Sequence, residues 1–196
     1  WQSPSVDYHA IAPEIVLAAG ICLIILVDLF VGDSKKWVTS TLTGFVMLAA
    51  LVPVLTLAVS DDNVRSLFDG RYVIDEFALT LKALFLIVGY VVVLLSQNHV
   101  EEGDYYQGEY FTLLLTSVTG MVMMASSRDL VSIFVALEML SLPLYLMAGL
   151  SRRRRLLSQE AALKYFLLGA FSSAFFLFGA AYLYGFSASI TFGGIR

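Results

Sequence analysis

Apolar residues in this chain come in long, uniform runs rather than in alternation or in narrow helical stripes. A window of about 19 residues separates six of them. They cover residues 11–31, 37–60, 77–96, 110–127, 130–150 and 161–184. About 20 predominantly apolar residues cross a bilayer as a helix, so each run is predicted to be a span. The second and fourth carry no charge at all. Pro53 and Pro143 fall inside spans, where neighbouring helices can satisfy the backbone groups that proline frees. The predicted fold class is all-α, a polytopic transmembrane helix bundle, with the whole chain 1–196 as one membrane domain.

Composition strengthens that picture. Of 196 residues, 59% are hydrophobic and 14% charged, against about 25% charged in ordinary globular chains. Mean hydropathy is +0.81. One cysteine, Cys22, excludes an internal disulfide framework, and His9 and His99 both lie outside the runs, so no metal constellation is legible. A net charge of -4 spread over loops does not suggest nucleic-acid binding. No Gly-rich phosphate loop is present, because GFSASITFGG lacks the spacing and the basic residue. Residue 1 is Trp, and the chain stops after GFSASITFGGIR without a polar tail, which reads as part of a longer polypeptide.

Loop charges predict the orientation. With the N-terminus external, the inner loops hold Lys35, Lys36, Arg152, Arg153, Arg154 and Arg155, while Arg65, Arg71, Arg128 and Arg196 lie outside. The RRRR block adjoins two spans and dominates under the positive-inside rule. It serves as a topology signal, and it could also seat an anionic head group such as cardiolipin. The longest loops, 61–76 and 97–109, are acidic, and the second carries adjacent tyrosines suited to a membrane interface.

Ionisable residues within the spans are the candidate chemistry. Glu138 is the only charge in residues 130–151 and falls near the middle. A charge there costs roughly 2.5–3.5 kcal/mol or more and by default marks an ion or proton path. The bland alternative is a protonated glutamic acid bonded to a neighbouring helix for packing. Pro143, five residues on, removes the donor to the Met139 carbonyl and loosens the turn. Lys164 has Glu160 four residues before it, a favourable surface pair, yet residues 165–195 hold no charge, so it belongs to the first turns of its span. It is either a snorkelling lysine or a proton partner for Glu138. Lys82 lies two turns beyond Asp75 on one face; it is either interfacial or part of a buried polar chain. Glu14 follows Pro13 at a helix start and reads as a dipole-stabilising charge. Asp28 reads as interfacial.

The segments FVALEMLSLPLYLMAGLSRRRR and EAALKYFLLGAFSSAFFLFGAAYLYG, with APEIVLA and MMASSRDL, resemble subunit N of respiratory complex I, the proton-pumping NADH:quinone oxidoreductase. The likeness covers essentially the whole chain and is strongest over residues 110–185. It implies the amino-terminal part of an antiporter-like fold of about fourteen spans built from inverted repeats. It also implies that Glu138, in the VALE motif, and Lys164, in ALKYF, take part in proton translocation coupled to quinone reduction elsewhere. NADH, flavin, iron–sulfur clusters and quinone would then be bound by partner subunits and none by this chain, in a bacterial plasma membrane. Two other readings remain open: a subunit of a multi-subunit sodium/proton antiporter, and a purely structural membrane subunit.

Overall fold

The computed structural model describes residues 7–31, 37–60, 64–102, 107–151 and 155–196. Lys35, Lys36, Arg152, Arg153, Arg154 and the tyrosines at 105 and 106 lie outside the described residues. Six long helices run up and down: α1 (Ala12–Phe30), α2 (Trp37–Val59), α3 (Glu76–Glu102), α4 (Gln107–Ser126), α5 (Leu130–Ala148) and α6 (Arg155–Ser187). All six are long and apolar enough to cross a membrane. The helices α3 and α6 outrun their apolar windows, because Gln and Glu continue a helix where hydrocarbon burial no longer applies. A short α7 (Phe192–Ile195) follows α6.

The fourth span is the least apolar, with a mean hydropathy of 1.2, and it is half buried by its neighbours. That pairing has a simple cause. It packs against α1, α2, α3 and α5, so its faces meet protein rather than lipid. Its hydroxyls bond within the bundle: Thr116 and Thr119 donate to the carbonyls of Thr112 and Leu115, each at 2.8 Å. Leu115, Val118 and Val122 of α4 meet Leu17 and Ile24 of α1, Met47 and Val54 of α2, and Leu86 and Val93 of α3 in one core. In contrast, α6 contacts α5 and α7, and its large side chains are exposed, Phe171, Phe175 and Phe178 among them.

Small residues set the closest approach, as helix association in lipid requires. A Cβ on Gly120 would lie 2.5 Å from the Leu140 nitrogen and 2.9 Å from the Ala136 oxygen. The backbones of α4 and α5 therefore touch within about half a turn of Glu138. Ser117 Oγ donates to the Leu140 carbonyl at 3.0 Å, beside the turn that Pro143 loosens.

The described part of the acidic loop, residues 64–76, has a structure of its own. It holds a hairpin of β1 (Arg65–Leu67) and β2 (Tyr72–Ile74), paired antiparallel with Leu67 opposite Tyr72. Its turn carries three successive left-handed residues, Phe68, Asp69 and Gly70, at φ 52, 56 and 81°. Asp and Gly tolerate that region; Phe is uncommon there. Leu67 and Ile74 bury against Ala10, and Arg65 pairs with Asp7 at 2.8 Å. Three-residue strands are too short for any periodicity to register.

Everything at this end is tied together. Tyr72 bridges to Ser127, and Asp129 to Thr191. Asp129 caps α5, accepting from the Val131 and Ser132 amides at 3.0 and 2.9 Å, and Arg128 pairs with Asp75. Gly120→Val should lower the stability of the full-length protein in detergent by about 1–3 kcal/mol through overpacking. Gly185→Ala, where a Cβ meets nothing within 4 Å, should leave the unfolding midpoint unchanged or raise it; thermal unfolding of the two variants checks this.

Candidate functional site

A carboxylate inside a bilayer needs a partner on another helix, and the antiparallel register of α5 and α6 decides which one Glu138 meets. Tyr145 stacks edge-on against Tyr165, with centroids 4.6 Å apart, and its hydroxyl occupies the space a side chain on Gly169 would fill. Further along, Phe134 stacks on Phe176 at 6.0 Å. Between these contacts, Ser173 Oγ donates to Glu138 Oε1. Glu138 is half-buried. It thus lies at mid-span with a neutral hydroxyl partner that suits either protonation state, since a hydroxyl can donate to a carboxylate or accept from a carboxylic acid.

Lys164 is not brought to Glu138. It pairs with Glu160 on its own helix, in the i,i+4 arrangement the sequence allows, with 70% of its side chain exposed. Nine residues separate Lys164 from Ser173, about 13.5 Å along the axis of α6. The lysine sits on the outer surface of this chain, two to three turns towards the end where α6 begins.

Lys82 has the opposite fate. It is fully buried, and its partner is Glu14 rather than Asp75, which is taken by Arg128. Lys82 Nζ donates to Glu14 Oε1 at 2.7 Å and to the Tyr72 hydroxyl at 3.1 Å, and lies 5.1 Å from the centroid of the Tyr72 ring. The Tyr72 hydroxyl in turn donates to Glu14 Oε1. Burial first, and then the adjacent carboxylate, push the Tyr72 phenol well above its usual range, so it remains a donor. Glu14 is 8% exposed, and its second oxygen, Oε2, is buried without a protein partner among the described residues. Glu14 stands in the first turn of α1 after Pro13, as the helix-dipole reading expects, and it also forms an interhelical ion pair. Desolvating an ammonium costs several kcal/mol, and only a close counter-ion with further hydrogen bonds offsets it.

Asp28 also turns inward. A Cβ on Gly108 would meet its carboxyl carbon at 2.1 Å, so the carboxylate lies against the first turn of α4, where the helix dipole favours a negative charge.

Sequence reasoning read Glu14 as a helix-dipole charge and missed its pairing with Lys82, although a signal for that pair existed; it passed over Tyr72. Odd-numbered spans start at the same end of an up-and-down bundle, so Glu14, in the first turn of α1, and Lys82, in the second turn of α3, share a depth and carry opposite charge. Tyr72 gave no signal, since only the hairpin carries it over the pair. Among the described residues no three His, Cys, Asp or Glu side chains converge to hold a metal ion.

Residues 127–196 match a family model described as NADH:quinone oxidoreductase/Mrp antiporter, TM. Across 99% of its length the chain is 38% identical to NADH-quinone oxidoreductase subunit N of Saccharopolyspora erythraea, covering 43% of that protein. A chain of respiratory complex I from Thermus thermophilus, solved with bound aureothin, superposes over 92% of this chain and 38% of its own length at TM-score 0.74 and 32% identity. A chain of the archaeal membrane-bound sulfane sulfur reductase shares the fold at TM-score 0.71 and 18% identity. The chain spans about two fifths of the length of the curated relatives it matches. It is a multi-pass membrane protein with the antiporter-like fold.

Glu14→Ala should destabilise the full-length protein by about 3–5 kcal/mol, the cost of leaving a buried charge unpaired. Glu160→Ala, which removes the exposed partner of Lys164, should cost under about 1 kcal/mol. Denaturation of both variants in detergent checks the contrast.

Proposed function

We propose that this chain, a homologue of NADH-quinone oxidoreductase subunit N, contributes the first spans of a proton-translocating membrane subunit. Glu138 is its proton-carrying group, working with quinone reduction carried out by other subunits. The observation that carries this reading is the placement of Glu138. A lone carboxyl sits at mid-span on the α5–α6 interface, with one hydroxyl among the described residues, Ser173 Oγ, donating to it. Ser173 can hold either form of the carboxyl, which is what reversible loading requires. Lys164 is the next candidate along α6. Its exposure on this chain supports a role towards parts of the longer protein, to which a proton from Glu138 would pass. Lys82 is the third, and its buried pairing with Glu14 is compatible with a structural as well as a proton-handling role.

In this reading the N-terminus and the hairpin face the exterior of a bacterial plasma membrane, and the basic loop before α6 faces the cytoplasm. Membrane and peripheral subunits of complex I are the partners, and they hold NADH, flavin, iron–sulfur clusters and quinone. Arg155, exposed at the start of α6, together with Arg152, Arg153 and Arg154 would bind an anionic lipid such as cardiolipin. A subunit of a sodium/proton antiporter is the second reading, favoured by the family model's inclusion of such antiporters. It separates cleanly, because its transport would run without NADH or quinone.

Glu138→Gln keeps size and hydrogen bonding while removing the titrating proton. In the full-length assembled complex in sealed vesicles, protons moved per NADH oxidised should fall to a small fraction of the parent value. Ser173→Ala should give a smaller loss of the same kind, since only one hydrogen bond of about 1 kcal/mol is removed. Normal pumping per turnover in Glu138→Gln, with assembly intact, would return Glu138 to a packing role.

A further inference from the structure

The ion pair between α1 and α3 does not end in a closed core. A cavity of about 370 Å³ lies between α1, the hairpin, α4 and α5, and Glu14, Tyr72 and Ser127 form its inner wall. Phe68, Arg71 and Val131, on the opposite side of the lining, are all exposed, so the cavity opens at the hairpin end of the bundle. Phe68 is held at that opening by its left-handed backbone in the hairpin turn. The unpartnered oxygen of this site, Glu14 Oε2, belongs to a residue more than nine-tenths buried that lines the cavity.

A buried carboxylate oxygen that lacks a protein donor calls for one from elsewhere. A resident metal cation is disfavoured, because Lys82 already neutralises Glu14 at 2.7 Å. Arg71 adds positive charge at the mouth, and Arg128, at the same end, is balanced by Asp75. Water fits: the volume admits several molecules at about 30 Å³ each, and Glu14, Tyr72, Ser127 and Ser132 are polar residues on an otherwise mostly apolar lining.

We propose that Glu14, Tyr72 and Lys82 form a second proton-exchange site, separate from Glu138, whose ligand is water reaching Glu14 through this cavity from the hairpin face. In one exchange a hydronium ion in the cavity gives its proton to the Glu14 carboxylate, leaving water and a neutral carboxylic acid. Lys82 remains an ammonium held by Glu14 and the Tyr72 hydroxyl. Return of the proton to water restores the ion pair, so the site alternates between zero and one net positive charge beside α4. The proposal rests on the reading of this chain as part of a proton translocator.

Two measurements on the full-length assembled complex test it. The first is access. Ser132 lines the same cavity, and Cys22 is the chain's free cysteine. In sealed vesicles of each orientation, a Ser132→Cys, Cys22→Ser variant should react with a membrane-impermeant maleimide from the hairpin face and not from the other. Reaction only with a lipid-soluble maleimide, or with none, overturns the water-filled cavity. The second is charge. Glu14→Gln combined with Lys82→Met removes both charges at once, leaving no buried ion unpaired, and Tyr72→Phe removes only the hydroxyl. Protons moved per NADH should fall by half or more in the double variant, and measurably in Tyr72→Phe. Parent-like pumping in both reduces the cluster to a structural pair. If pumping persists there while Glu138→Gln abolishes it, this proposal alone fails. If Glu138→Gln also pumps normally, the broader reading fails with it. Should the double variant not assemble, the maleimide result and Tyr72→Phe decide.

Discussion

An unpaired charge is intolerable in a hydrocarbon layer, and that constraint orders this molecule more than any apolar contact does. Three ionisable side chains within the spans answer it in three ways. Lys82 is swallowed whole and compensated by a carboxylate and a phenol from two other elements. Glu138 takes a hydroxyl on the next helix. Lys164 stays on the outer surface with a neighbour from its own helix. The first solution fixes where the hairpin must lie, because Tyr72 has to reach the pair. Docking the hairpin in turn fixes the α4–α5 junction through the bridge to Ser127.

The same constraint explains the central helix. A span with many threonines and serines would be a poor choice against lipid, where each hydroxyl must find a partner. Surrounded by four helices, α4 bonds its threonines to its own carbonyls and Ser117 to α5. Its glycine lets the partner backbone come within contact distance. The polar character that weakens α4 as a hydropathy signal is therefore what suits it to the middle of the bundle.

Much of this was legible in the sequence. Run length alone yields six helices, because the bilayer imposes a thickness that composition has to match. Glu138 stands out for the same reason, as a charge too far from either interface to escape. Pairings were harder to read. Asp75 and Lys82 share a helical face in the sequence, yet Asp75 goes to Arg128 and Lys82 to Glu14, since contacts between elements depend on how the helices are arranged. The i,i+4 pair of Glu160 and Lys164 was readable because it needs one helix only. The hairpin and its tyrosine were out of reach, because three-residue strands leave no pattern and their position depends on the tertiary bonds they make.

The backbone bonds at the hairpin end have a mechanical corollary. The Leu130 amide donates to Ile190 and the Phe192 amide to Arg128, at 3.0 and 3.2 Å, so the end of α6 is clamped to the start of α5. At the far end, among the described residues, Ser158 ties the pair through one side chain that donates to Ala148 at 2.6 Å. Helix α6 is then a lever with its fulcrum at the clamp. Ser173 rides about 21 Å along it, fourteen residues from Ser187 at 1.5 Å each. At that radius a swing of about 5° carries Ser173 about 2 Å, farther than a hydrogen bond tolerates. A small rocking motion of one helix would be enough to make or break the hydrogen bond between Ser173 and Glu138.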